Sequence, residues 1–155
     1  WGSFLGSRTR PLSAGCWFWW VEVRIVPAVP LEPGQTHSVS LTVTDADTAV
    51  AFRSGEVPVL ASPRLLALCE QATSELTIGE LDPGQTTVGM RVQFDHVAPS
   101  AVGRTLTATA ELQKIVGGRL TFSVEAREGE QALGDGTVTR VVVDRERFLE
   151  RLTES

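Results

Sequence analysis

Apolar and polar residues alternate along five stretches between residues 39 and 143. In the first stretch, Val39, Leu41 and Val43 alternate with serines and threonines, which is the period-two pattern of a strand buried on one face. The other stretches are residues 86–97, 105–116, 120–126 and 132–143, and they follow one another closely. Gly117 and Gly118 supply a two-residue hairpin turn between two of them. The pattern therefore predicts a run of antiparallel strands in the second half of the chain.

The strongest helical pattern covers residues 62–78, where side chains recur at the spacing of one helix face. The residues on this face are Leu65, Leu66, Cys69, Thr73 and Leu76. Ser62 is interpreted as the helix cap, Pro63 suits the first helical position, and Gly79 ends the helix. Short helices are also expected over residues 45–52 and after Asp144, which is predicted to cap the second of them.

The elements follow in the order strand, central helix and then antiparallel strands that are long enough to curl around that helix. This order predicts an α+β fold in which a curved sheet wraps one long helix. The edges of such a sheet, and the face that points away from the helix, need to be covered. We therefore expect a dimer that forms through the sheet or the helix.

One histidine lies on a predicted apolar face. His96 continues the face formed by Val88, Met90, Val92 and Phe94, so its side chain is expected to point inward or into a cleft. A hydrogen-bonded histidine of the core or of an interface explains the same pattern equally well.

Three further residues have two interpretations each. Arg140 lies between two inward-facing valines, which indicates either a buried partner charge or exposure at a sheet edge. Glu70 is either functional or the usual polar border of an amphipathic helix. Cys69 is conceivable as a nucleophile with His96 as its base, but a small core residue is the favoured interpretation. From the residues alone, the sequence predicts an α+β domain with a cleft that contains Glu, His and Arg.

Charge and motif content exclude several classes of protein. A net charge of -5 with a single lysine offers no concentrated basic surface for a phosphate backbone, which argues against nucleic-acid binding. Phosphate-binding loops, zinc-binding motifs and the G-x-S-x-G motif of serine hydrolases are absent from the sequence. Two histidines and two distant cysteines favour neither a metal site nor a disulfide framework. We therefore expect no cofactor and no metal.

Residues 1–30 differ from the rest of the chain because they contain all four tryptophans. Arg8 and Arg10 precede an apolar run that partly resembles a secretory signal, but Glu22 and Arg24 interrupt this pattern and no cleavage motif follows. The apolar run, residues 14–21, is also too short to span a membrane. We interpret residues 1–30 as an extension outside the folded unit and residues 31–155 as one domain, with a signal peptide as the alternative.

Five short motifs carry a resemblance to a known family. They are GEVPVLASP (residues 55–63), ALCEQA (67–72), TTVG (86–89) leading to His96, GTVTR (136–140) and VDRERF (143–148). Together they resemble the hotdog-fold thioesterases related to fluoroacetyl-CoA thioesterase. The resemblance covers roughly residues 36–150, and the spacing between the motifs agrees throughout.

The resemblance implies a fold, an assembly and a set of site residues. The fold would be the hotdog fold, dimeric, with active sites near the subunit interface. The catalytic hydroxyl, carboxylate and histidine of the family fall on Ser62, Glu70 and His96, and positions that contact substrate fall on Gly89 and Arg140. Two departures stand out, both read from the sequence. Ser62 replaces a threonine but keeps the hydroxyl. The aromatic lid of the family's best-known member falls on charged residues at positions 53 and 56, which argues against fluoroacetyl specificity.

The predicted function is therefore an acyl-CoA thioesterase that hydrolyses a small or medium acyl-CoA to free acid and CoA. Glu70 would act as nucleophile or general base, assisted by Ser62 and His96. A non-catalytic acyl-CoA-binding or regulatory dimer is the alternative, and a hotdog hydratase is a third interpretation. We expect an acyl-CoA substrate, a homodimer or tetramer, no membrane or nucleic-acid partner, and a cytoplasmic location.

Overall fold

The structure, a computed structural model, describes residues 30–153 of the chain. The predicted extension, residues 1–30, lies outside the described residues except for Pro30. The described residues form five strands, two α-helices and one short 3₁₀ turn. Their order is β1 (Thr36–Thr42), α1 (Ser62–Leu76), β2 (Gln85–His96), β3 (Thr105–Val116), β4 (Arg119–Glu128), β5 (Gln131–Asp144) and α2 (Arg145–Thr153).

The five strands form one antiparallel sheet with the order β1-β3-β4-β5-β2. Strands β1 and β2 therefore lie at its two edges, and β5 lies between β4 and β2. Helix α1 packs across one face of the sheet, mainly against β1 and β3. The predicted α+β plan, with one long helix against a single sheet, is confirmed.

The core lies between α1 and this face of the sheet. The helix contributes the fully buried side chains of Leu65, Leu68 and Cys69, and alanines at positions 108, 110 and 126 of the sheet let its backbone approach closely. Cys69 is therefore a core residue. Burial and the neighbouring charge of Glu70 raise the pKa of the Cys69 thiol to about 12, which leaves the thiol protonated and excludes it as a nucleophile at neutral pH.

A β-bulge in β2 changes which side chains face the core. The pairing of β2 with β5 shifts between Gly89 and Arg91, so Met90 is the extra residue. Before the bulge, Thr87 is buried and points toward α1; after it, Val92 and Phe94 pack against the core. The prediction that Val88 and Met90 share a face with Val92 and Phe94 was wrong, because the extra residue reverses the alternation.

Three local predictions also need correction. Ala61, not Ser62, occupies the cap position of α1, and Ser62 is the first helical residue. The helix ends at Leu76, two residues before the predicted end. In the region 45–52, a helical turn covers Asp45–Asp47 and does not extend further. The predicted cap of α2 is confirmed, since the backbone N–H of Arg147 donates to Asp144 Oδ1 at 2.9 Å.

Arg140 is not at a sheet edge. It lies on the interior strand β5 and is 8% exposed, so the edge interpretation was wrong. Across the described part of the chain, no helix is both long enough and apolar enough to span a membrane.

Candidate active site

Ser62 and His96 form the first half of the candidate site. Ser62 begins α1 and His96 ends β2, and Ser62 Oγ lies 2.7 Å from His96 Nδ1. His96 reaches the helix because the bulge at Met90 shifts the alternation of β2, so that the His96 side chain points toward α1. The other ring nitrogen, Nε2, is buried and has no hydrogen-bond partner within residues 30–153. The imidazole is thus oriented by one nitrogen, while the other has no partner among the described residues.

A shallow cavity adjoins His96. It has a volume of about 170 Å³ and is lined by Val59, His96, Val97, Ala98 and Pro99. Apart from the imidazole, the side chains in this lining are apolar, as in most small-molecule sites. The cavity is therefore able to hold an apolar part of a ligand beside the imidazole.

Glu70 and Gly89 form the second half of the site. The side chain of half-buried Glu70 crosses to β2, and a Cβ added to Gly89 would lie 2.9 Å from Glu70 Oε1. A Cβ at that distance would displace the carboxylate, so glycine allows the carboxylate to lie against the strand backbone. Within residues 30–153, the Glu70 carboxylate makes no hydrogen bond. Its oxygens remain open to a substrate or a water molecule.

Arg140 supports this second half from the neighbouring strand. It is opposite Gly89 in the sheet register. Its guanidinium donates from Nε to Thr87 Oγ1 at 2.8 Å and from Nη2 to the Thr87 carbonyl oxygen at 3.0 Å. Burial lowers the pKa of the guanidinium, and the charge of Glu70 acts in the opposite direction. Arg140 is therefore a buried cation that faces the Glu70 carboxylate.

Thr73 connects the same cation to the helix. Its Oγ1 donates to the carbonyl oxygen of Glu70 at 2.7 Å and lies 3.5 Å from Arg140 Nη1. Neither Thr73 nor Thr87 was predicted as a site residue. A buried arginine on a strand indicates that hydrogen-bond acceptors lie nearby. The alternation pattern nevertheless assigned Thr87 to the outer face of the sheet, because the bulge in β2 is not visible in the sequence.

The two halves are separate within one chain. Ser62 and Glu70 are eight residues apart on α1, which corresponds to about 12 Å along the helix axis. Glu70 makes no hydrogen bond to Ser62 or His96. The structure thus brings Ser62 together with His96, and Glu70 together with Gly89 and Arg140, but it does not join the two groups.

The loop before α1 is held by a partly buried ion pair between Arg64 and Asp47. Arg64 Nε donates to Asp47 Oδ1 at 2.7 Å, and the backbone and hydroxyl of Thr44 donate to Asp47 Oδ2 at 2.8 and 2.6 Å. Burial acts to raise the pKa of Asp47, but these hydrogen bonds and the charge of Arg64 outweigh it and hold the pKa below its usual value. Asp47 also accepts the N–H of Ala61 at 2.9 Å through its carbonyl oxygen, so it fixes the start of α1 and hence Ser62.

The residues at the predicted lid positions, Arg53 and Glu56, are exposed within this loop. Arg53 has a φ of 55°, a left-handed conformation that few residues other than glycine adopt. No group of three or more His, Cys, Asp or Glu side chains in residues 30–153 is arranged to hold a metal ion.

Comparison with known proteins gives consistent matches. A family described as fluoroacetyl-CoA-specific thioesterase matches residues 43–146. A fluoroacetyl-CoA thioesterase from Streptantibioticus cattleyicolor is 34% identical over 90 residues, which are 58% of this chain and 65% of that protein. The chain therefore covers slightly less than two thirds of the length of this curated relative.

Solved structures extend the match to the fold. A fluoroacetyl-CoA thioesterase superposes with a TM-score of 0.75 at 26% identity, over 81% of this chain and 97% of the other. A hot-dog-like protein from Thermanaerovibrio acidaminovorans also has a TM-score of 0.75, at 25% identity over 80% of this chain and 92% of the other. The predicted hotdog fold and the resemblance are both confirmed.

Proposed function

Because the chain belongs to the fluoroacetyl-CoA-specific thioesterase family, a family of thioester hydrolases, we propose that it hydrolyses a small or medium acyl-CoA to free acid and CoA. One observation carries this proposal. The carboxylate of Glu70 lies against the backbone of Gly89, where no side chain separates it from a ligand, and a buried arginine faces it. A carboxylate held in this way is suited to attack a thioester carbonyl or to activate water for that attack.

The reaction requires attack on the thioester carbonyl, stabilisation of the negative charge on its oxygen and departure of the CoA thiol. Glu70 acts as nucleophile, forming an anhydride that water then cleaves, or as general base that takes a proton from the attacking water. The Gly89 N–H faces the carbonyl oxygen as negative charge develops on it. The C–S bond breaks when the tetrahedral intermediate collapses, which in the nucleophilic route is the step that forms the anhydride, and the CoA sulfur leaves as the thiol after it accepts a proton. The products are a carboxylate and the free thiol, so no oxidant or cofactor is required.

His96 is suited to supply the proton to the leaving sulfur. A neutral imidazole donates from one ring nitrogen and accepts at the other. When Ser62 donates to Nδ1, the ring proton lies on Nε2, which is the nitrogen without a partner. Ser62 therefore orients His96. Because Ser62 is exposed, it is also able to contact the substrate.

Gly89 and Arg140 remain our proposed substrate-binding positions. For Arg140, the hydrogen bonds to Thr87 support an indirect role as well, because they fix the cation that faces Glu70.

The acyl group is not expected to be fluoroacetyl, although the curated relative is named for that substrate. The charged side chains at positions 53 and 56 replace the aromatic lid implied by the resemblance. The cytoplasmic location and the homodimer stay predictions.

The test is release of free CoA thiol by the full chain from a panel of short, branched, aromatic and long acyl-CoAs. Turnover is expected on some of them, and Glu70→Gln should lower it at least about a hundredfold, since a positioned acid or base contributes about 10² to 10⁴-fold. Glu75→Gln is the matched control, because Glu75 lies on the same helix, is partly exposed and contacts His37 rather than a residue of the candidate site.

Two other outcomes would replace the proposal. A chain that binds acyl-CoA without releasing thiol is the non-catalytic binding dimer considered above. Formation of 3-hydroxyacyl-CoA from an enoyl-CoA, without free thiol, would establish a hydratase. A loss of tenfold or less in Glu70→Gln would remove Glu70 from the mechanism.

A further inference from the structure

Helix α2 exposes an apolar face. Phe148, Leu149 and Leu152 have the spacing i, i+1 and i+4, which places them on one side of a helix. Within residues 30–153 they are 38%, 51% and 65% exposed, and no residue of α2 is buried. Exposed apolar side chains that cluster in this way, unlike single ones, mark a docking surface. We call these three residues the α2 face.

The tip of the β3–β4 hairpin adds apolar surface at the same end of the sheet. Ile115 and Val116 precede the turn at Gly117 and are 36% and 57% exposed. The N–H of Val142 donates to the carbonyl oxygen of Gly118 at 2.8 Å, and α2 begins three residues after Val142. The hairpin tip therefore lies beside the start of α2.

The described part of the chain begins at this end. Leu31 packs against one buried cluster, and Val142, near the start of α2, packs against the same cluster. The members of this cluster are Leu76, Leu112, Leu120 and Phe122. Residues 1–29, which lie outside the described residues, are therefore joined to the domain close to the α2 face.

Residues 14–21 have the composition that this face requires. They form an apolar run in which positions 17–20 are Trp, Phe, Trp and Trp. Aromatic side chains bury about 150–250 Å² each when they pack. Residues 22–29 connect the run to Pro30 and span at most about 29 Å when fully extended, whereas α2 is about 14 Å long. The run is therefore able to lie along the whole α2 face.

The charges of the segment and of the helix are complementary. Residues 1–29 carry three arginines and one glutamate, although the net charge of the whole chain is -5. Glu146 and Glu150 lie beside Leu149 on the surface of α2. A basic segment next to this acidic border favours docking in this place over other apolar surfaces.

We propose that residues 14–21 dock on the α2 face of their own chain. A short tether gives the segment an effective concentration on the order of millimolar, which favours it over a partner in solution. The segment stays outside the core of the folded unit but is attached to its surface, where its aromatic side chains cover the α2 face. The proposal does not depend on the hydrolytic activity.

Intrinsic tryptophan fluorescence of the full chain tests the docking. All four tryptophans lie within residues 1–20, so the emission reports on this segment. We expect emission at shorter wavelength than in urea, because a docked indole is shielded from water. Leu149→Gln combined with Leu152→Gln should move the emission to longer wavelength and increase quenching by acrylamide. Glutamine matches leucine in helix propensity, so α2 should stay helical.

Val102→Gln is the control for this double variant. Val102 is 42% exposed and precedes β3, at the opposite end of the sheet from the hairpin tip. Its substitution should change neither the emission nor the quenching. An unchanged spectrum in the double variant, or a wild-type spectrum equal to that in urea, overturns the docking.

A disulfide between Cys16 and the α2 face locates the contact. Cys16 lies within the run, and Cys69 does not compete because it is buried and the pKa of its thiol is raised. With oxidised glutathione as the oxidant, Leu149→Cys should form an intramolecular disulfide with Cys16 at least about tenfold faster than Val102→Cys does, because docking raises the local concentration of the thiol. Equal rates overturn docking on α2. A disulfide between two chains would assign the segment to a second copy and also overturn the proposal.

Vesicles test a lipid surface as the other occupant, since a basic segment rich in aromatic residues is also suited to bind one. Emission of the full chain that is unchanged by phosphatidylglycerol vesicles supports docking on the α2 face. Emission that moves to shorter wavelength only after the vesicles are added overturns it.

Discussion

Gly89 and Glu70 are in such close contact that a Cβ at position 89 would lie 2.9 Å from Glu70 Oε1. The obstructing atom is the end of a flexible side chain, so Gly89→Ala should fold and simply displace the carboxylate. We expect turnover to fall at least about tenfold, because positioned groups lose much of their effect when shifted by about 1 Å. The midpoint of thermal unfolding should stay within a few degrees of wild type, as measured by circular dichroism. Unchanged turnover would contradict the proposed position of the carboxylate.

Gly136 provides the matched control for Gly89. A Cβ at position 136 would lie 2.2 Å from the carbonyl oxygen of Gln93, which belongs to the backbone and cannot turn away. Gly136→Ala should therefore separate β5 from β2 and destabilise the fold by about 1–3 kcal/mol or more, as overpacked core positions do. Urea denaturation distinguishes the two variants. Equal stability loss in both would show that the contact at Gly89 is structural.

Arg140→Lys should affect both stability and turnover. Lysine keeps the positive charge but cannot donate to Thr87 Oγ1 and the Thr87 carbonyl together, because it lacks the planar fork of arginine. We expect the free energy of unfolding to fall by about 1.5–3 kcal/mol, the typical value of hydrogen bonds to a charged group. Turnover should also fall, since the cation no longer has a fixed position opposite Glu70.

Thr87→Val separates these two effects. It removes the hydroxyl acceptor and keeps the backbone carbonyl that also binds Arg140. Its loss of stability, measured by urea denaturation, should be smaller than that of Arg140→Lys. If Arg140→Lys matches the wild type in stability and in thiol release, the buried hydrogen bonds to Thr87 contribute to neither.

The sequence predicted the larger elements well because their signals are local. Alternation located the strands, and helical spacing located α1 to within two residues of its end. The bulge at Met90 was not predictable from the sequence. It leaves the alternation of apolar and polar residues along β2 unbroken, and it is visible only in the pairing of β2 with β5. Arg140 shows the same limit, since its acceptors on Thr87 come from a strand that lies 53 positions earlier in the chain.

Ser62 shows why local rules give the wrong role near a site. A serine beside proline at the start of a helix is a standard capping pattern, yet its hydroxyl binds His96 instead. The resemblance to a family predicted a catalytic role for this residue and for Glu70 and His96, whereas periodicity left the roles of these residues open. The contacts within each half, Ser62 with His96 and Glu70 with Gly89, appear only once the chain is folded, because each joins α1 to β2.

The thiol of Cys69 should be unreactive in the folded protein. Burial and the charge of Glu70 raise its pKa to about 12, so the thiolate is nearly absent at pH 8. In a Cys16→Ser background, a thiol reagent such as Ellman's reagent should modify Cys69 only after urea is added. Cys69→Ala should keep turnover within about twofold of wild type, since the sulfur takes no part in the proposed chemistry. Rapid labelling of the native chain would contradict the core position of this residue.

Asp47 should make the stability of the protein depend on pH in the acid range. Its pKa in the folded chain lies below the ordinary value of 3.8, so its carboxylate stabilises the fold above that pH, and the contribution is lost as the pH falls through the folded pKa. Asp47→Asn should therefore lower the free energy of unfolding by about 1–3 kcal/mol at pH 7, because the partners of the carboxylate lose a charge-assisted acceptor. The difference from wild type should shrink below about pH 4. Urea denaturation between pH 7 and pH 3 measures it, with Asp45→Asn as the exposed control in the same turn. A difference that stays constant over this range would show that the pair with Arg64 does not titrate as the structure requires.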